Sequence, residues 1–213
     1  MLYYQTHCPW VIVFAFNQSS FYKIITMSET PQNRPIPYIP IDLAEPADLV
    51  AAIRKRRGGD FINLDRMLLH SIPIAEGWNH FVGEIRNNLA LDPKLRELAM
   101  CGVAVLNGAE YEFFHHAPPF RKAGGTEEQV EALRLLGTPQ FPRACFSSVE
   151  CDAAELTLQM TRNIQVDDAL MVRLRDALGK TCAVELVTVI AAYNMVSRFL
   201  IALKVGPEDH PPA

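Results

Sequence analysis

From residue 46 onward, apolar residues recur every three or four positions, the spacing that gathers them on one face of an α-helix. EPADLVAAIRKRRGG has Pro46 in its first turn, basic residues near its end and glycines to stop it. NLDRMLLHSI opens on Asn63, the expected cap, and PIAEGWNHFVGEIRNNL follows with Pro73 at a helix start. In DPKLRELAMCGVAVLNG, Asp92 is the expected cap and Pro93 the first helical residue; nearly everything after Glu97 is apolar, which predicts a helix buried on most sides. Thr126 and Gln129 form a capping box ahead of a helix that Gly137 and Pro139 end. SSVECDAAELTLQMTRNI, DDALMVRLRDALG and KTCAVELVTVIAAYNMVSRFLIALKV predict three more helices. No alternating strand pattern follows residue 40, so the fold class is all-α.

A degenerate internal repeat runs through this pattern. KLRELAMCGVAVLNGAEYEFF and CAVELVTVIAAYNMVSRFL each place a lone Glu (Glu97, Glu185) ahead of a long apolar helix, with an Asn (Asn107, Asn194) further on. Two related helical halves packed face to face would produce it, and only the first copy continues into Glu112 and His116. Residues 46–205 are therefore expected to form the helical domain, with a polar, proline-rich lead over 27–45 and a tail over 206–213. Residues 1–26 contain the apolar run WVIVFAF but lack the basic start and cleavage site of a signal peptide, and the run is too short to span a bilayer. They are expected to be an extension outside the domain, upstream of a plausible start at Met27, with a membrane-anchoring role as the other reading.

Composition narrows the function. The chain has 213 residues, 49% of them hydrophobic, enough for a sizeable core. Its 24 acidic and 20 basic residues leave a net charge of -4 with no basic stripe, which argues against nucleic acid as a partner. Five cysteines at irregular spacings suit neither a disulfide framework nor a four-ligand zinc site, so a cytoplasmic protein without a metal is expected, with no membrane partner.

The chemistry gathers in NGAEYEFFHHAP, residues 107–118. Asn107 and Gly108 break one helix and the next begins at once, leaving Glu112 and His116 four residues apart on one face. A buried Glu97 must be paired, hydrogen-bonded or protonated, and a histidine across the hairpin is its natural partner. Such a carboxylate and imidazole, with a second carboxylate beside them, make a proton relay. Other readings stand beside this one. Glu97 could form a structural ion pair. Glu112 and His116 could bind a metal with His70 or His80, but no third ligand is fixed. His115 points to another helix face, as a surface or interface residue.

The stretch RELAMCGVAVLNGAEYEFFHHAPPFRKAGGTEEQVEAL resembles the core of the carboxymuconolactone decarboxylase family, which also holds the alkyl hydroperoxidase D-type peroxidases. The peroxidase signature, a Glu, two cysteines and a His, falls on Glu97, Ala109, Glu112 and His116, with the family's following glycine at Gly124. The resemblance spans roughly residues 45–205 by motif order. Both thiol positions are lost, so a two-cysteine relay cannot exist; Cys101, four residues after Glu97, leaves only a one-cysteine peroxidase conceivable. What remains resembles the decarboxylase branch: a cofactor-free lyase or isomerase on a small cyclic carboxylic acid or lactone. The resemblance implies His116 as general acid or base, Glu97 as its orienter and Glu112 as a second proton carrier or polar wall. Tyr111, Cys101, Trp78 and Arg121 are the candidates for holding substrate. For an anionic group, spacing alone does not choose among Arg66, Arg96, Arg121 and Lys122. The resemblance also implies a homo-oligomer, a dimer, trimer or hexamer, with Trp78, Tyr193 and Arg198 as interface candidates. A non-catalytic oligomeric binding protein is the other function class, favoured if Phe114 or Phe120 fills the pocket.

Overall fold

The computed structural model describes residues 34–208, and the expectations for 1–26, for the start of the lead and for 209–213 lie outside them. Eight α-helices follow in order: α1 Ala47–Arg57, α2 Asn63–Leu68, α3 Ile72–Asn87, α4 Pro93–Asn107, α5 Glu110–Lys122, α6 Glu127–Leu133, α7 Ser148–Arg162 and α8 Asp168–Ala202. A single 3-10 turn, Arg143–Cys145, precedes α7, and no strand occurs among the described residues. The class is all-α, as the periodicity predicts.

Helix α4 is the axis of the domain, packed against α5, α7 and α8. Its side chains Leu98, Ala99, Met100, Cys101 and Val103 have no exposed surface. Each fully buried leucine of this kind contributes about 1.5–3 kcal/mol, so α4 holds its neighbours in place. Asp92 caps it as expected, accepting hydrogen bonds from the backbone N–H of Lys94 and Leu95. Gly108 ends it in the left-handed region (φ 69°), which a side chain would resist, and so turns the chain sharply into α5. At the far end of α5 the Phe120 ring lies so close to Gly125 that a Cβ there would sit 2.5 Å from it.

One expectation about helix ends needs correction. Asn63 is the first residue of α2 and not its cap; Asp65 reaches back to the Ile62 N–H, while the Asn63 amide donates to the carbonyls of Gly206 and Pro207. The break expected between the last two helices is present at Gly179 (φ 78°, ψ 164°), where the two halves of α8 meet at a kink. By length and composition α8 could cross a membrane, but Leu186, Ile190 and Tyr193 in its second half lie in the core with no exposed surface. Residues 34–45 and 206–208, on either side of 46–205, pack on the domain. Gly206 N–H donates to the Tyr38 hydroxyl and Arg34 Nε to the Lys204 carbonyl. The two asparagines of the repeat meet in space, Asn107 Nδ2 donating to Asn194 Oδ1 at 3.1 Å. Its two glutamates have diverged: Glu185 accepts from the N–H groups of Ala90 and Leu91, a purely structural task.

Candidate active site

The α4–α5 hairpin sets the central pair. At 1.5 Å rise per residue, Glu97 lies ~16 Å before Gly108 and His116 ~12 Å after it, so the returning helix brings the two side by side. His116 Nδ1 is 2.7 Å from Glu97 Oε2, and both side chains are buried. Arg96 donates to the other Glu97 oxygen at 3.3 Å from Nε and Nη2. His116 Nε2 lies 3.3 Å from Arg86 Nη2, and Arg86 Nε donates to the Tyr193 hydroxyl at 2.9 Å. The Tyr193 ring meets the imidazole edge-on. Because Arg86 can only donate, Nε2 must accept, which places the proton on Nδ1, toward Glu97.

Electrostatics fix the protonation states. Burial lowers His116 to about 4 and the Arg86 charge pushes the same way, against the pull of Glu97; the imidazole is neutral. Burial works to raise the Glu97 carboxyl, but His116, Arg96 and Arg86 outweigh it and keep it below the usual range. Glu112 is the opposite case. Burial raises it to about 8, with only the Ser197 hydroxyl and the distant Arg86 charge opposing. Its Oε2 accepts from Ser197 Oγ at 2.9 Å, and its Oε1 is buried without a partner among the described residues.

These groups line one cavity of about 260 Å³. Its polar wall is Arg86, Asn87, Glu97, Glu112 and His116; its apolar wall is Ile62, Leu64, Pro119, Val196 and Leu200; Arg57, Tyr111 and His115 complete it. Beyond Tyr111 lies Glu208, which accepts from the Tyr111 hydroxyl at 2.6 Å and from the Asn63 N–H at 3.1 Å. His115 Nε2 stands 3.3 Å from the same carboxylate, without hydrogen-bond alignment. Burial would raise Glu208, but His115, Tyr111 and the Asn63 N–H together lower it to about 2.

The structure thus brings together Glu97, His116, Glu112 and Tyr111, and leaves three sequence candidates outside. Cys101 is wholly buried beneath the hairpin, its thiol pushed up by burial and by the Glu97 and Glu112 carboxylates. Trp78 packs on Phe199, ring centroids 5.3 Å apart. Arg121 sits on the surface, paired with Glu127. Tyr193 is no interface residue, having no exposed surface. His115 is not turned away but forms part of the cavity wall, because the tail returns to meet it. Phe120 is in the core and Phe114 is 61% exposed, so neither fills the cavity. His70 contacts the Pro37 carbonyl, His80 is exposed, and no group of three potential metal ligands converges among the described residues.

Arg86 and Glu208 are the residues that sequence reasoning misses. Arg86 had a signal: it follows Val82 by four residues, and Ala75, Trp78, Val82 and Ile85 form the buried stripe of α3. An arginine bordering such a stripe points toward the interior. Glu208 had none, lying in a short Gly-Pro stretch after the last helical period.

The raised Glu112 carries a stability consequence. Its ordinary value is 4.5 and its folded value about 8, so the stability present below the former is lost as pH rises through the latter. Glu112→Gln is therefore expected to be nearly neutral at pH ~5 and to raise the melting temperature at pH ~9. Thermal melts at both pH values check this; an equal effect at both would show that Glu112 ionises normally.

The model of the carboxymuconolactone decarboxylase family matches residues 73–143, a span holding Arg86, Glu97, Glu112 and His116. A search of the curated proteins finds no match. Among solved structures, a peroxidase-related protein from Silicibacter sp. TM1040 is similar at 16% identity and a TM-score of 0.70, covering 87% of this chain and 96% of its own. A Cys-to-Ala variant of the debrominase Bmp8, in complex with 2,3,4-tribromopyrrole, is similar at 14% identity and a TM-score of 0.67, covering 84% and 95%. Both share the fold.

Proposed function

We propose that the chain, whose residues 73–143 match the model of the carboxymuconolactone decarboxylase family, is a cofactor-free lyase or isomerase that moves a proton on a small cyclic carboxylic acid or lactone. The observation that carries this reading is that Glu112, with Oε1 buried and unpartnered, and His116, bound to Glu97, face one cavity; burial there raises Glu112 to about 8 and lowers His116 to about 4, which favours a neutral acid beside a neutral base at neutral pH. In a decarboxylation the C–C bond to the carboxylate breaks, its electron pair passes into the conjugated ring system, and Glu112 delivers its proton to carbon; water restores it. In an isomerisation His116 Nε2, once Arg86 turns from it to the substrate, removes a C–H proton, Glu112 returns one elsewhere, and exchange with water then takes the proton from His116 and restores that of Glu112. Glu97 orients the imidazole and stabilises its charged form. The apolar wall of Ile62, Leu64, Val196 and Leu200 suits the carbon skeleton of such a ring. The size of the cavity suits one small ring, and the debrominase of the same fold holds a pyrrole.

The peroxidase alternative loses support, since Cys101 is outside the cavity and its thiol is harder to ionise. The test is a panel of unsaturated lactone acids incubated in deuterated water without metal or cofactor. Carbon-bound deuterium in the product, with or without release of carbon dioxide, is the expected outcome. Thiol-dependent turnover of an organic hydroperoxide that disappears in Cys101→Ser would replace this reading with the alternative.

A further inference from the structure

Arg86 is a buried cation without a carboxylate of its own. Its partners are the Tyr193 hydroxyl and His116 Nε2, both neutral, and no ion pair joins it to an acid among the described residues. Leaving a buried guanidinium unpaired is costly, and proteins retain such an arrangement where something else supplies the negative charge. Glu97 and Asp65 favour its charged form from a distance, but neither carboxylate touches it. Four arginines, Arg56, Arg57, Arg86 and Arg96, border this region, and Asp65 is already shared by the first two while Glu97 is shared between Arg96 and His116. Glu208 is taken by Tyr111, Asn63 and His115 at the other end. The fourth carboxyl, Glu112, faces the same cavity with Oε1 unpartnered.

We propose that Arg86 anchors an anion site in this cavity and that its ligand is a small planar monoanion, held through a carboxylate or a conjugated enolate oxygen. This deepens the proton-transfer reading by naming the charge class of its substrate. Guanidinium and planar oxyanion match in shape and hydrogen-bond direction. Asn87, the next residue of α3 and also in the cavity wall, offers a further polar group beside it. The unpartnered Glu112 Oε1 then meets the ligand as a donor, since the neutral acid does not repel an anion. The ligand also removes the Arg86 charge from the balance acting on His116, and so makes the imidazole a better base once substrate is bound.

The test is isothermal titration calorimetry on the full chain with sodium benzoate and with benzamide, its uncharged analogue of the same shape, in one buffer of fixed ionic strength at neutral pH. Benzoate is expected to bind at least about tenfold more tightly than benzamide. Arg86→Met should erase that preference and Arg86→Lys should keep part of it. Equal affinities, no binding of either compound, or an undiminished preference in Arg86→Met would overturn the proposal. The wild-type comparison decides even if the variants fail to fold. An Arg86-dependent preference for benzoate in a protein that turns over no lactone acid would keep the anion site and remove the proton-transfer reading. Turnover without any charge preference would do the reverse.

Discussion

His116→Ala is expected to lower turnover by about a hundredfold or more, the range of a positioned acid or base. The imidazole is buried in the cavity wall, with one nitrogen bound to Glu97 and the other facing Arg86, so no neighbour can take its place. Glu97→Gln should be damaging as well. It keeps an acceptor for Nδ1–H, but it removes the charge that would stabilise the imidazolium and that offsets Arg96. If the two act as one unit, the double variant should be little worse than the worse single one. His115→Ala should cost far less, since that ring touches the cavity from the side and is tied to Glu208. Steady-state kinetics on the substrate found in the lactone-acid panel, with melting as a folding check, decide this. Near-normal turnover in His116→Ala would remove the mechanism, and equal losses at both histidines would move the chemistry to another face of α5.

The largest effect on stability is expected at Asp65. Its carboxylate is almost wholly buried, accepts from Arg56 Nη2, from Arg57 Nε and Nη2 and from the Ile62 N–H, and so binds α1 to the start of α2. Asp65→Ala leaves two half-buried guanidinium groups without their counter-charge, near a third at Arg86. Breaking a buried pair from one side typically costs about 3–5 kcal/mol. Urea unfolding should show a loss of that order; a loss within about 1 kcal/mol would place these pairs with ordinary surface bridges. Because Arg57 lines the cavity, Asp65→Ala should also weaken ligand binding in whatever fraction stays folded.

Helix periodicity was enough to read most of the fold, because each α-helix here buries a stripe whose spacing the chain records directly. The α4–α5 hairpin was legible in finer detail. Asp92, Pro93 and Gly108 mark its boundaries, and those boundaries alone bring Glu97 alongside His116. What sequence spacing does not carry is contact between distant segments. Glu208 reaches Tyr111 across 97 positions, and Tyr193 reaches Arg86 across 107. Arg121 was a plausible anion holder by its nearness to His116 along the chain, but the turn of α5 between them carries it round to the solvent side of the helix, where Glu127 claims it. The protonation of Glu112 was equally hidden, since it depends on the absence of any neighbouring cation close enough to hold the charge, with Ser197 alone bonded to it.

If environment separates an acid from a base in this cavity, Glu112 holds its proton at neutral pH. Carbon-13 NMR of side-chain carboxyls across pH ~4 to ~10, with Glu112→Gln to assign the resonance, reads that proton. A midpoint for Glu112 of about 8 is expected. A midpoint near the ordinary 4.5 would mean that Glu112 is ionised beside His116 and would overturn the assignment of acid and base.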